Sequence, residues 1–282
     1  RGFFENMKAY AAHIDADIHV IAGRYKNPTS VFTDKHYEAW APEVTPFLDA
    51  ARHDIHKYLS ILSDMKIQPT ASDPLTGLEG VSGINSCIVG SPRVHMRVVP
   101  VLEGYKPKVM WTTGAVTVNN YTDSKAGKKG DFHHTLGFVV VEIKDKNVFY
   151  ARQVTATDKG DFCDLFSEVK GGKVSRVDSV SAVVLGDVHV GEIDERVEKA
   201  TLELLERVKP GATMIHDVFA GASISHHDAK DPIKQYQKEK EGTNVLKAEI
   251  DNMLEWVGKF YKYNLVVVPA NHNFFLDRWL IN

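Results

Sequence analysis

Three short apolar runs in the second half of this 282-residue chain restrict its fold more than any other pattern in the sequence. They are Ser181–Leu185, Ala212–Ile215 and Leu265–Val268. Nearly continuous apolar runs of this length are typical of parallel strands that are buried on both faces. Each run is followed within three residues by aspartate, asparagine or histidine. We therefore expect a parallel sheet that carries polar side chains along one edge.

Amphipathic segments connect these three runs. Residues 194–209 place four apolar side chains on one helical face, namely Val197, Leu204, Leu205 and Val208. Asp231-Pro232 predicts the cap and first residue of another helix. A further amphipathic helix after Gly242 has six apolar positions, Leu246, Ile250, Met253, Leu254, Val257 and Phe260. The alternation of strand and helix predicts right-handed crossover connections between parallel strands.

The first half of the chain mixes helical and strand-like patterns. Thr45-Pro46 is predicted to begin a helix with an apolar face of Ile55, Tyr58, Leu59 and Leu62. Five strands are predicted near Ser86–Val89, Val94–Leu102, Val109–Trp111, Leu136–Ile143 and Val148–Val154. Residues 123–130 are expected to form a polar loop, and residues 165–178 a linker or long turn. This pattern predicts an α+β accessory domain over residues 1–175 and a second domain over residues 176–282.

Composition restricts the class of protein less than these patterns do. Hydrophobic residues make up 43% of the chain, charged residues make up 25%, and the net charge is −3. These values are ordinary for a soluble globular protein, and no apolar run approaches the roughly 20 residues of a membrane span. Two cysteines imply no disulfide framework, so a reducing cytoplasm is expected. The net charge does not exclude DNA, because DNA binding requires only a local basic surface.

The polar residues after the three runs are of the types that bind divalent metal ions. Asp187 and His189 follow the first run, Asp217 follows the second, and Asn271 and His272 follow the third. Side chains at the carboxyl ends of parallel strands meet at one edge of the sheet. Carboxylate, amide and imidazole groups suit Mn²⁺, Mg²⁺, iron and Zn²⁺. One aspartate can bridge two ions, and paired ions are a common device for attacking phosphate esters.

This order of Asp-x-His, Asp and Asn-His resembles the motifs of the calcineurin-like metallophosphoesterase superfamily. The resemblance covers about residues 180–282, with His216 and Ala270 where that superfamily has glycine, and Asn273 where it has an acid. We expect His216 to be a packing or supporting residue. The implied fold is α/β, a layered metallophosphoesterase-type sheet with flanking helices, preceded by the α+β domain.

The resemblance also implies a role for each motif residue. Asp187 and His189 would hold the first ion, and Asp217 would bridge both ions. Asn271 would join the second ion, and His272 would protonate the leaving oxygen or stabilise its charge. The implied cofactors are two divalent ions, with Mn²⁺ favoured over Mg²⁺, iron or Zn²⁺.

A second group of residues extends the resemblance to metallophosphoesterases encoded by tailed phages. His226-His227 lies in the loop after the second motif, and Arg278 follows the third motif within the sequence FFLDRWL. We expect these three side chains to bind substrate. The implied function is a two-metal phosphodiester hydrolase that degrades or nicks DNA in the host cytoplasm, with no membrane partner and with a homo-oligomeric assembly left open.

Two other functions remain open from the sequence. One is a phosphomonoesterase or cyclic-nucleotide phosphodiesterase that acts on small substrates. The other is a non-catalytic scaffold that uses the same fold to bind partners. Retention of all five motif residues argues against the scaffold.

The sequence leaves the remaining metal ligands unassigned, because the superfamily usually supplies more histidines after the third motif. We expect either that the polypeptide continues beyond Asn282, which we favour, or that the first half supplies His95, His133 or His134. The start at Arg1 is likewise expected to be a cropped end. The accessory domain could be a degenerate metallophosphoesterase-like domain, a permuted part of the fold or an unrelated β-rich domain.

Overall fold

The computed structural model describes residues 2–23 and 40–281. The chain mixes α-helices with β-sheets and divides into two compact units, Arg1–Arg176 and Val177–Asn282. Within the described ranges, no helix combines the length and the apolar character that a bilayer span requires.

The first unit is built mainly from strands. Its helices are α1 (Gly2–His13) and α2 (Lys125–His133). Its strands are β1 (Val20–Ile21), β2 (Leu48–Asp49), β3 (Arg52–His56), β4 (Leu59–Leu62), β5 (Ser86–Val89), β6 (Met96–Val99), β7 (Lys108–Thr112), β8 (Gly137–Asp145), β9 (Val148–Thr155), β10 (Phe162–Asp164), β11 (Ser167–Lys170) and β12 (Lys173–Arg176). The five-stranded sheet has the order β3-β4-β5-β7-β6, with parallel pairing inside and antiparallel pairing at both edges. Strands β8 and β9 form a hairpin, and β10 to β12 form a meander.

Both faces of the five-stranded sheet are covered by apolar side chains. On one face, Leu62 and Cys87 are fully buried with Leu75 from the loop after β4. On the other face, Leu59 and Trp111 pack against apolar residues of the β8–β9 hairpin. Because both faces are buried, the central strands consist of short runs of apolar residues, as β5 does.

The Asp164 carboxylate ties α1 to strands β9 and β10 of this unit through a hydrogen bond and an ion pair. The Asp164 side chain is 3% exposed and accepts two hydrogen bonds from the Arg152 guanidinium, at 2.6 and 2.7 Å. It also accepts a hydrogen bond from the Tyr10 hydroxyl at 2.6 Å. Burial and the neighbouring Asp164 carboxylate raise the pKa of Tyr10 to about 12. The hydroxyl therefore stays protonated and keeps donating at neutral pH.

We expect Asp164→Ala to lower the free energy of unfolding of this unit by about 3–5 kcal/mol, because removing one partner leaves a half-buried guanidinium without its buried counter-ion. The matched control is Glu142→Gln. Glu142 contacts the same guanidinium but is 51% exposed, so a change below about 1 kcal/mol is expected. Urea denaturation of both variants measures the difference. Equal losses of unfolding free energy in the two variants would show that the buried pair with Asp164 stabilises the unit no more than the exposed pair with Glu142.

The helix predicted to begin at Thr45-Pro46 is wrong. The proline begins only a 3₁₀ turn, Thr45–Phe47, and the chain then forms the β3–β4 hairpin. The apolar spacing of Ile55, Leu59 and Leu62 imitates a helical face because the hairpin turn at residues 57–58 separates two strands, one of which is buried along its whole length.

Two further predictions in the first unit are wrong, while the five predicted strands are confirmed as β5 to β9. Residues 123–130 are not a loop, because α2 begins after Ser124, whose side chain caps the helix by accepting from the Gly127 amide. Residues 165–178 are not a linker but contain the β11–β12 hairpin. Its turn, Gly171-Gly172, has the positive φ angles of 56° and 73° that glycine adopts without strain.

The second unit alternates strands and helices as predicted. Its elements are β13 (Val183–Asp187), α3 (Glu195–Val208), β14 (Thr213–His216), α4 (Pro232–Glu241), α5 (Leu246–Gly258), β15 (Leu265–Val268) and α6 (Asn273–Ile281). The sheet has the order β13-β14-β15, and both pairs are parallel, which confirms the prediction. Asp231 caps α4 by accepting from two backbone amides, and proline is its first residue, also as predicted.

The core of the second unit lies on one face of its sheet. Ile215 and Phe260 are fully buried there, with Leu205 of α3. The expectation that all three strands are buried on both faces is wrong, because Val184 is 63% exposed and Val266 is 43% exposed. The predicted face of α3 needs a similar correction. Its buried residues are Leu205 and Val208, while two other members of that face, Val197 and Leu204, are exposed.

Candidate metal centre

The carboxyl ends of β13 and β14 bring the first two motifs side by side. The register of β13 against β14 shifts between Val184 and Asp187, which is a β-bulge of the kind that redirects side chains beside functional sites. Backbone pairing continues beyond both strands, since the amide of His189 donates to the carbonyl of Asp217 at 3.0 Å. The hydrogen-bonded backbone therefore fixes His189 beside Asp217.

Three side chains converge at this edge. The Nε2 atom of His189 lies 3.0 Å from Oδ2 of Asp217. The rings of His189 and His272 are parallel to within 4°, with centroids 4.3 Å apart. His189, Asp217 and His272 each offer one ligand atom, and these atoms all lie within 4.8 Å of one another. This group could hold a metal ion.

The partners of these side chains fit a cation. Asp217 is 1% exposed, and its buried Oδ1 atom has no hydrogen-bond partner in the part of the chain that the structure describes. A buried carboxylate oxygen without a partner is costly, and a metal ion would satisfy it. The 3.0 Å separation within the His189–Asp217 pair also suits two ligands of one ion, since ligands about 2.1 Å from a metal and at right angles lie about 3 Å apart.

His272 is oriented by the loop that follows β14. Its Nδ1 atom lies 2.8 Å from the carbonyl oxygen of Ala220. Because a carbonyl only accepts, Nδ1 carries the proton, and Nε2 of the neutral ring carries the lone pair. This arrangement, in which a backbone carbonyl fixes the tautomer, is common for histidines that bind metals or transfer protons.

Two of the three residues have a strained backbone. The φ angles of His189 and Asp217 are 46° and 45°, in the left-handed region that residues other than glycine rarely adopt. Such conformations cost about 1–3 kcal/mol each and concentrate at functional sites. Here they place both side chains in the turns that immediately follow the strands.

The other two predicted ligands lie at the same sheet edge but outside this group. Asp187 is the last residue of β13, is exposed, and pairs in register with His216 of β14. Asn271 is exposed just before α6, and its carbonyl accepts from the Phe274 amide. The metal-binding roles of Asp187 and Asn271 stay predictions. His216 follows core residue Ile215, so its side chain is on the opposite face of the sheet.

The predicted substrate-binding residues lie close to one another. The rings of His226 and His227 are 3.9 Å apart, and Nη1 of Arg278 lies 2.9 Å from Nε2 of His226. The ring of Phe275 contacts both histidines, at centroid distances of 5.0 Å and 5.9 Å. Their role in binding stays a prediction.

The three histidines considered as alternative ligands all belong to the first unit, where they have their own partners. His95 lies 3.6 Å from the Asp73 carboxylate. His134 contacts the Tyr121 hydroxyl at 2.9 Å and the Thr117 carbonyl at 2.8 Å. His133 is the last residue of α2, and its ring lies 4.9 Å from that of Phe132.

Sequence reasoning missed two residues that shape this site. Glu249 of α5 accepts hydrogen bonds from the amides of Ala222 and Ser223, at 2.8 and 3.0 Å, and so holds the loop that carries the histidine pair. Phe275 is 6% exposed and stacks on His272 at 4.7 Å. The only signal for Phe275 was its place three residues after His272. Glu249 gave no signal, because its contacts are distant in sequence.

Comparison with known proteins gives one informative relative. No protein-family model matches the chain, and no solved structure matches it. The chain is 27% identical to the protein named Protein A1 of Escherichia phage T5 over an alignment that is 304 residues long. That alignment covers 99% of this chain and 53% of the relative, so the chain spans about half the length of the protein it matches. Over almost its whole length, therefore, the chain is similar to a phage protein.

Proposed function

We propose that this chain carries metal ligands of a metallophosphoesterase-type phosphodiester hydrolase, and that its substrate is DNA. The observation that carries this proposal is the buried Asp217 carboxylate, which belongs to a group with two imidazoles and whose Oδ1 has no hydrogen-bond partner among the described residues. Three ligand types in the order expected of a metallophosphoesterase, each after a parallel strand, also support it. The similarity to a phage protein is in keeping with the resemblance to metallophosphoesterases encoded by tailed phages.

The resemblance to metallophosphoesterases implies which residues would hold the ions. His189 and Asp217 would hold the first divalent ion together with Asp187, and Asp217 and Asn271 would contribute to the second. A bound pair of ions supplies positive charge to the phosphoryl oxygens and lowers the pKa of a coordinated water. Mn²⁺ is our first choice, because the set combines carboxylate, imidazole and amide donors.

The protein residues contribute position and electrostatics. Asp217 is enclosed by protein, and the residues that follow it, Val218–Ala220, are buried as well. Little water therefore screens its charge, which strengthens its attraction for cations. Nε2 of His272 would transfer a proton to the leaving oxygen when the ring is doubly protonated, because Nδ1 keeps its own proton on the Ala220 carbonyl.

DNA is favoured over small phosphate esters by what flanks the centre. Asp187 and Asn271 are exposed, so this edge of the second unit is open, and the histidine pair with Arg278 provides groups that bind a phosphate backbone. A phosphomonoesterase needs no such groups beyond the reacting phosphate.

The test compares substrates and metals in one assay. We expect the protein with Mn²⁺ to cleave plasmid, linear or single-stranded DNA, EDTA to stop the reaction, and added Mn²⁺ to restore it. p-Nitrophenyl phosphate should be a much poorer substrate. Faster turnover of p-nitrophenyl phosphate than of DNA would favour the small-substrate function. Absence of Mn²⁺ binding in calorimetry would contradict the metal centre itself.

A further inference from the structure

We propose that His226, His227 and Arg278 form a subsite for a second phosphate of the substrate, next to the phosphodiester that reacts. This inference rests on the proposed function, because it takes the group of His189, Asp217 and His272 as the place of reaction. It adds that the substrate is a strand with several phosphates, held at two points.

A continuous row of rings connects the metal centre with this subsite. The His272 ring stacks on Phe275 with centroids 4.7 Å apart, and Phe275 contacts the edge of His226 at 5.0 Å. The His226 ring therefore lies less than 10 Å from the His272 ring. One nucleotide of a DNA strand advances about 3.4 Å along the helix axis, and the winding of the strand makes the direct distance between neighbouring phosphates longer. The span thus suits a phosphate one or two nucleotides from the reacting one.

The segment that carries the histidine pair, residues 221–231, is held from several sides. Glu249 accepts from the two amides near its start, and Lys238 donates to the Ala222 carbonyl at 2.7 Å. Asp228 pairs with Lys234 at 2.8 Å and with Lys238 at 2.9 Å. Rigid support of this kind is what a preorganised binding site requires.

Two features keep this segment in place. Lys234 and Lys238 lower the pKa of Asp228 to about 2. Their ion pairs therefore stabilise the segment fully above the ordinary pKa of 3.8, and this stabilisation is lost as the pH falls to about 2. Gly221 has a φ of 67°, and a Cβ atom there would come within 2.7 Å of the Phe275 ring, so only glycine permits this close packing.

The chemistry of the cluster favours an anion. Arginine can only donate, so Nε2 of His226 accepts from Arg278 and the imidazole is neutral. Burial, His227 and Arg278 lower the pKa of His226. A bound phosphate would instead raise the pKa of His226, because its negative charge favours the protonated ring. Its several oxygens can accept hydrogen bonds from the guanidinium and from both rings. Asp228, which lies in the same segment, is paired with two lysines.

The experiment separates the subsite from the reaction. Two substrates are compared with Mn²⁺, a ten-nucleotide single strand and bis(p-nitrophenyl) phosphate, which has one phosphodiester and no second phosphate. We expect Arg278→Ala to lower kcat/KM for the oligonucleotide about 10- to 100-fold, the loss typical of one charged hydrogen-bonding group. The same variant should lower bis(p-nitrophenyl) phosphate hydrolysis by a much smaller factor, below about 3-fold, because that substrate has no second phosphate. His226→Ala should lower the oligonucleotide value by a smaller factor of about 3 to 10.

Binding is measured separately by fluorescence anisotropy of the labelled oligonucleotide with Ca²⁺ in place of Mn²⁺. Arg278→Ala should reduce the slope of log affinity against log salt by about 0.7, the value for one lost phosphate contact on a single strand. The matched control is Arg196→Ala, because Arg196 is 90% exposed and paired with Asp194. Circular dichroism confirms that each variant is folded.

The possible results are distinct. Equal losses on both substrates would overturn the subsite, since Arg278 would then act on the reacting phosphate or on the fold. Oligonucleotide binding and cleavage that do not depend on Arg278 would also overturn it, while leaving the hydrolase intact. If neither substrate is cleaved by the wild-type protein, the proposed function fails. If the slope of log affinity against log salt is nevertheless smaller in Arg278→Ala than in the wild-type protein, the cluster binds phosphate although the protein is not a hydrolase.

Discussion

Asp217→Asn is expected to abolish divalent-metal binding and DNA hydrolysis while the fold survives. Asparagine has nearly the same size, but it lacks the negative charge that attracts a cation to a residue that is 1% exposed. Mutation of groups that only support a ligand already costs 10–100-fold in metal affinity, so losing the ligand should cost more than about 100-fold. Turnover should fall by at least about 10³-fold, as when a major electrostatic group is removed from an active site.

Calorimetric titration with Mn²⁺ measures the affinity, and circular dichroism measures the fold. The matched control is Asp251→Asn, because Asp251 is an exposed residue of α5 paired with Lys247 at 2.6 Å. This control should bind Mn²⁺ with wild-type affinity. An Asp217→Asn variant that binds Mn²⁺ normally would show that the buried carboxylate is not a ligand. Loss of the folded state would instead assign Asp217 a structural role.

The sequence predicted the sheet of the second unit because two independent signals agreed. Short apolar runs indicated strands, and the amphipathic segments between them required crossovers that make the strands parallel. Once β13, β14 and β15 are parallel, the residues after them must share one edge. His189, Asp217 and His272 lie close together because each of them follows one of these parallel strands. Their positions directly after the apolar runs were visible in the sequence.

The sequence did not predict features that depend on contacts between distant residues. The Glu249 carboxylate accepts hydrogen bonds from the amides of Ala222 and Ser223, which lie 27 and 26 residues earlier in the chain. No local sequence pattern marks such a contact. The helix predicted after Thr45 failed for a related reason. Apolar residues three or four positions apart occur on a helix. They also occur where a tight hairpin joins a mostly exposed strand to a buried one, as in β3 and β4.

The burial of the three parallel strands could not be judged from the sequence either. Apolar runs predict burial on both faces, but Val184 and Val266 are exposed. A residue pattern records which side chains are apolar, whereas exposure depends on which elements cover each face. The helices of the second unit cover the face that carries Ile215 and Phe260.

His272→Ala is expected to lower turnover of DNA by about 10²–10⁴-fold while Mn²⁺ stays bound, since this is the usual contribution of a proton donor. The Ala220 carbonyl fixes the proton on Nδ1, and Phe275 and His189 hold the ring between them. Such an orientation serves proton transfer by Nε2. His272 is also one of the three residues that could hold a metal ion, so its roles as proton donor and as ligand must be separated by experiment.

Substrates with different leaving groups distinguish a proton donor from a metal ligand. The sugar alkoxide released from DNA needs a proton, whereas p-nitrophenolate is stable without one, so the loss of a proton donor should harm DNA cleavage far more than hydrolysis of bis(p-nitrophenyl) phosphate. The loss of a metal ligand should harm both reactions equally and should weaken Mn²⁺ binding as Asp217→Asn does. Titration with Mn²⁺ and the ratio of the two activities therefore decide the role of His272. Equal damage to both substrates, with Mn²⁺ affinity reduced as in Asp217→Asn, would make His272 a ligand rather than the proton donor.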